Sequence, residues 1–204
     1  MPAKPNERQY RSLTCPMTAQ KRDGEGEAKS YLVEGYATTF NDPYTLYEWD
    51  GVAYREQIDP GAFEGADMSD VIFQYDHAGR VFARQSNGTL KLTVDEHGLY
   101  VEADLSGSAQ GRELYEEIAN GLVCRMSWCF VPISTGYDKE SHLSTIYKVS
   151  KVYDVSAVSI PADPNTEISA RSFLDGVIEQ AGRTERASRR KRAALKAKAA
   201  MALH

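Results

Sequence analysis

The chain has 204 residues, 42% of them hydrophobic, and a formal net charge of −5, which suits one ordinary domain with tails and a buried core. No apolar run approaches the length of a membrane helix, so a membrane-spanning role is not expected. Cys15, Cys124 and Cys129 form no framework or zinc-knuckle spacing, which argues for a reducing cytoplasm rather than a disulfide scaffold.

The opening MPAKPNERQYRS has no apolar stretch after its charges and does not read as a secretory signal. From Arg183 onward eight Lys or Arg stand against one Glu, a charge of +7 that leaves −12 on the rest. The body should repel nucleic acid, and only the tail should attract it.

In chain order, residues 9–18 and 30–40 read as two strands around the polar turn QKRDGEGEAK. Residues 41–53 read as a loop rich in aromatics and acids. Asp59 before Pro60 predicts a short helix or turn. Residues 70–75, DVIFQY, predict a short buried strand that runs into Asp76-His77-Ala78-Gly79-Arg80.

In SNGTLKLTV and GLYVEADL apolar and polar residues alternate, which predicts a hairpin with one wet face, with His97 in its exposed turn. Residues 108–120 carry Leu114, Tyr115 and Ile118 at helical spacing, and Asn120-Gly121 reads as a left-handed stop. A core strand should follow in LVCRMSWCFVPI, with Ser127 between Met126 and Trp128. Residues 134–145, with His142, read as a polar loop. The strand TIYKVSKVYDVSAVSI should end at Pro161. A short amphipathic helix is expected after Arg171, and the Ala/Lys/Arg-rich remainder reads as a loosely attached helix. We find no internal repeat. The expected boundaries are 1–30 for an N-terminal strand and turn, 31–172 for the main domain, and 173–204 for a helical, basic tail.

His77 at a strand end, Ser127 inside a strand and Asp154 in the last strand are candidates for a nucleophilic site. A serine hydroxyl needs an imidazole to take its proton, and the imidazole needs a carboxylate to hold its tautomer. Each has a bland reading too: a small core residue bonded to a carbonyl, a structural histidine, a surface acid. Asp76, Glu102 and His142 are alternatives for the third position. A metal site from His77, His97 and His142 is disfavoured, because no pair has ligand spacing on one element.

Six segments decide between these readings: VEGYATTF, REQIDPGAF, DHAGRVFARQSNGTLKL, DEHGLYVEADL, the helix and Gly121 leading to MSWCF, and YDVSAVSIPADPNTEISAR. In this order, from Val33 to Arg171, the sequence resembles the prohead (capsid maturation) proteases of tailed bacteriophages. The resemblance implies an α+β fold, a small and mostly antiparallel β-barrel flanked by helices and related to the herpesvirus assembly proteases. It puts the catalytic histidine on His77, the nucleophile on Ser127 and the acid of an EVS-type motif on Asp154. Arg125 and Ala83 stand where the family commonly has glycine, and Asp154 where it often has glutamate.

The resemblance further implies a serine endopeptidase in the host bacterial cytoplasm, inside the assembling prohead. It would cut the scaffolding portion of the capsid precursor and itself, with no cofactor and no membrane. A homo-oligomer stays open, and nucleic acid is not expected as a partner. The oxyanion hole should come from backbone amides near Ser127 or Arg84. Two other classes are weighed: an inactive shell or scaffold component with the same barrel, and a nucleic-acid-binding module led by the basic tail.

Overall fold

Alternating apolar and polar residues make strands wherever one face can be buried, and this chain is mostly such segments. A computed structural model describes residues 3–13, 17–20 and 31–159. Among them are eleven strands and one α-helix. The strands are β1 Gln9–Leu13, β2 Thr18–Gln20, β3 Leu32–Thr39, β4 Tyr44–Trp49, β5 Val52–Ile58, β6 Ile72–Tyr75, β7 Ala78–Arg84, β8 Leu90–Val94, β9 Gly98–Asp104, β10 Arg125–Asp138 and β11 Leu143–Val158; α1 is Ala109–Ala119.

These strands form two sheets. The larger has the order β1-β10-β11-β5-β4, with β6 beside β11 and β7 beside β6; the smaller is β2-β3-β9-β8. The larger sheet is mixed, since β11 runs parallel to both β5 and β6. Among the described residues the expected closed barrel is not formed. Closure would require every strand to be paired on both sides, yet β4, β7 and β8 each pair with a single neighbour. Strand-rich α+β is the class observed, with one flanking helix among the described residues; the helix expected after Arg171 lies outside them.

The helix is locally specified at both ends. The Ser108 hydroxyl accepts from the Gly111 N–H at 2.9 Å and caps the start. At the other end Gly121 takes φ 73°, its N–H donates to Ile118 and the Leu122 N–H to Glu117. That pair of bonds is a Schellman stop, which turns the chain directly into β10. Leu114, Tyr115 and Ile118 are buried, as their spacing predicts.

From Met126 to Phe130, β10 is buried on both faces. Trp128 and Phe130 stack at 3.8 Å between ring centroids, and Phe63 packs on Trp128 at 5.4 Å. Ser127 and Cys129 therefore point to the opposite face, by the two-residue period of a strand.

Two expectations are corrected. Residues 41–53 are no loop but hold β4, its turn and the start of β5, joined at Asp50-Gly51 with φ 49° and 74°. Positive φ at both turn residues is the geometry that Asp-Gly favours in a two-residue hairpin. Residues 134–145 are no loop either: β10 runs to Asp138 and β11 starts at Leu143, an antiparallel pair whose tip holds His142. The β10 half of this arm, with Ile133, Ser134, Tyr137 and Asp138 exposed, carries no apolar alternation to betray it, although Ser144 and Ile146 of the β11 half are buried. After Asp59 the chain takes the turn, one of the two outcomes expected there, and the Asp59 carboxylate accepts from the Gly61 N–H at 2.8 Å.

Candidate active site

The site face is built by four strands and one turn. Register sets Ser127 of β10 between Ser12 of β1 and Ser156 of β11, and sets Cys129 between Tyr10 and Asp154. On its far side Asp154 neighbours Ile72 of β6. The hairpin from β6 to β7 then turns back over this face in only two residues, Asp76 and His77, since Tyr75 pairs with Ala78.

That turn places His77. Asp76 and His77 have φ 48° and 56°, the left-handed region where a side chain is uncommon and where observed outliers concentrate at functional sites. Asp76 anchors the turn. Its N–H donates to the Ala157 carbonyl at 2.9 Å, and its carboxylate accepts from the Ser159 N–H and hydroxyl, both at 3.0 Å.

Fixed this way, His77 bridges two strands. Its Nδ1 lies 2.5 Å from Asp154 Oδ1, and its Nε2 lies 2.5 Å from Ser127 Oγ. Asp154 can only accept, so Nδ1 carries the proton. In the neutral ring Nε2 is then the lone pair that faces the serine. The Tyr10 ring meets His77 edge-on at 4.8 Å. Ser127 is fully buried.

The serine hydroxyl has one proton and two neighbours able to accept it. Besides Nε2 there is the Arg11 carbonyl, 2.9 Å away. Arg11 is itself fixed from behind by a buried charge network. Its guanidinium donates to Glu56 at 2.5 and 3.0 Å, and Tyr44 and the Ala3 N–H donate to the same carboxylate at 2.6 and 3.1 Å. Burial alone would lower the Arg11 pKa, but the Glu56 charge and hydrogen bonds reverse this and leave it above its ordinary value.

Asp154 has further donors. The Ser156 hydroxyl donates to Oδ1 at 2.8 Å, and both residues are buried. Burial first, and the Asp154 carboxylate second, push the Cys129 thiol up to about 12. Cys129 therefore stays protonated at neutral pH and cannot compete as a nucleophile.

The other residues singled out from sequence lie elsewhere. Glu102 pairs with Lys91 at 2.8 Å on the smaller sheet. His142 meets the Tyr137 hydroxyl at 3.0 Å at the hairpin tip, and His97 sits beside Tyr36 in the β8–β9 turn. Of the amides around Arg84, its own donates to the Thr89 hydroxyl at 2.8 Å and that of Gln85 to the Val71 carbonyl at 2.9 Å. Sequence reasoning missed Tyr10, the Arg11 carbonyl and Ser156. Only Ser156 left a signal, two residues from Asp154 and hence on the same strand face.

Comparison with curated proteins and with solved structures gives no match. A family model described as Caudovirus prohead serine protease matches residues 17–176, a span that contains His77, Ser127 and Asp154. On that match, which covers most of its length, the chain belongs to the prohead serine proteases of tailed phages.

Proposed function

We propose that this chain is an active endopeptidase in which Ser127 is the nucleophile, His77 the general base and then acid, and Asp154 the group that orients His77. The observation that carries this reading is the unbroken run of short contacts from Asp154 through His77 to Ser127. Ser127 passes its proton to Nε2 as Oγ attacks the scissile carbonyl. His77 returns that proton to the leaving amine, and the acyl-enzyme is opened by water activated by the same nitrogen. Throughout, Asp154 accepts from Nδ1 and offsets the charge that the imidazole acquires. The oxyanion needs backbone donors other than those of Arg84 and Gln85, which are engaged.

Within the prohead serine protease family, the substrates we assign are the scaffolding portion of the capsid precursor and the enzyme's own basic tail. The tail, at +7 beside a body at −12, supports this by offering a salt-sensitive tether to an acidic scaffold. The competing reading, an inactive shell component, predicts no cleavage at all.

The test is co-expression with the capsid precursor, followed by intact masses of both proteins from assembling particles. Ser127→Ala opens no cavity and should fold, yet precursor cleavage should fall by about 10³-fold or more, and the tail should stay whole. His77→Ala should be as damaging, and the double variant little worse. Comparable trimming by Ser127→Ala would remove the serine from this role.

A further inference from the structure

Asp154 is a short side chain asked to hold a ring on a neighbouring turn, and its own orientation needs an explanation. A carboxylate on a strand can swing about its side-chain bonds unless something fixes it. Three groups surround this one. His77 Nδ1 and the Ser156 hydroxyl meet the same oxygen, Oδ1, at 2.5 and 2.8 Å. Cys129 stands opposite in register on β10.

Ser156 is fully buried and directly opposite Ser127 in the β10–β11 ladder. Its hydroxyl rotates with a single torsion, and its one proton points at Oδ1. A hydroxyl inside a protein loses most of its alternatives, because an unmade bond there carries the full desolvation penalty. The bond from Ser156 therefore has a directing effect: with Oδ1 held from the Ser156 side, its remaining lone pair faces His77.

We propose that Ser156 is a positioning residue for the reaction, one that fixes Asp154 so that Asp154 can fix His77. This rests on the assignment of Ser127, His77 and Asp154 made above. Ser156 touches neither substrate nor reacting atoms.

Two measurements on the full chain test it. The first is a mutant cycle read as the rate of precursor cleavage, with thermal unfolding to verify folding. Ser156→Ala should lower the rate about ten- to a hundredfold, in line with losing a hydrogen bond to a charged group. In an Asp154→Ala background the same change should cost nothing further, since no carboxylate remains to be oriented. An additive loss there, as a merely structural role would give, overturns the proposal.

The second measurement needs no activity. The His77 Nδ1 proton, held between nitrogen and carboxylate, should give a far-downfield ¹H resonance in the wild-type chain. That resonance should move or broaden in Ser156→Ala, and an unchanged signal overturns the proposal. The two readings fail separately. Full cleavage by Ser127→Ala sinks the proposed function, whereas a dead Ser127→Ala beside a fully active Ser156→Ala sinks only the role of Ser156.

Discussion

At the scale of single residues, the two described cysteines report how differently two thiols five positions apart are treated. Cys124 is exposed and Cys129 buried. With its thiol pushed up to about 12, Cys129 should resist alkylation at mildly alkaline pH while Cys124 reacts, as peptide-resolved mass spectrometry of the native protein will show. The same shift predicts a slope in stability. Below the ordinary value of 9.0 both the folded and unfolded chains hold this proton, and its contribution is complete. Between there and about 12 only the unfolded chain releases it, so stability falls as pH rises through that window. Urea unfolding at about pH 8 and about pH 10 should therefore diverge less in Cys129→Ala than in wild type. Little of this was legible in the sequence. Ser127, His77 and Asp154 stand far apart in the chain, and nothing in composition or spacing selects them from other serines, histidines and acids. Family motifs located them. The turn at Asp76-His77 and the register of β10 with β11 explain why they meet.

At the scale of elements, what was legible had local causes. The β8–β9 hairpin shows clean alternation, and α1 has its own cap and stop. The β4–β5 hairpin was hidden by acids and half-exposed aromatics, although Asp50-Gly51 is a strong hairpin signal. The lower arm of β10 and β11 was hidden because its β10 half is polar and largely exposed from Ile133 to Asp138, with Ser144 and Ile146 the buried residues on the β11 side. There Gly136 lies under the Tyr147 ring, and a Cβ would come within 2.7 Å of Cε2. Glycine matters more sharply at Gly98, where β9 begins against the irregular stretch of β3. A Cβ there would overlap the Thr38 carbonyl oxygen and lie 2.9 Å from Thr39 Cα. Both obstacles are backbone, so neither can swing away. Gly98→Ala should destabilise by roughly 2 kcal/mol or more, whereas Gly107→Ala, with nothing within 4 Å, should stay within about 0.5 kcal/mol of wild type. Chemical unfolding of the two variants side by side is the measurement.

At the scale of the whole molecule, the Arg11–Glu56 pair ties the first strand to the far side of the larger sheet. Glu56 is fully buried and gathers donors from β1, from β4 and from Ala3. A buried pair of this kind is weak support for stability in itself, but removing one partner strands the other's charge in the interior. Glu56→Ala should cost about 3–5 kcal/mol. Hydrogen exchange should show the β1 amides losing protection before those of β9, because β1 is the element that the pair secures.

The burial of Ser127 carries a kinetic meaning. On the proposed assignment of Ser127 as nucleophile, its lack of exposed surface means that a peptide carbonyl reaches it only in some other arrangement of the chain. The observed rate is then the intrinsic rate multiplied by the population of that arrangement. Such an enzyme can be synthesised beside its substrates and remain silent while they are dilute. On that assignment, crowding the substrates around it would raise the occupancy of the open form by mass action, which makes confinement the expected trigger.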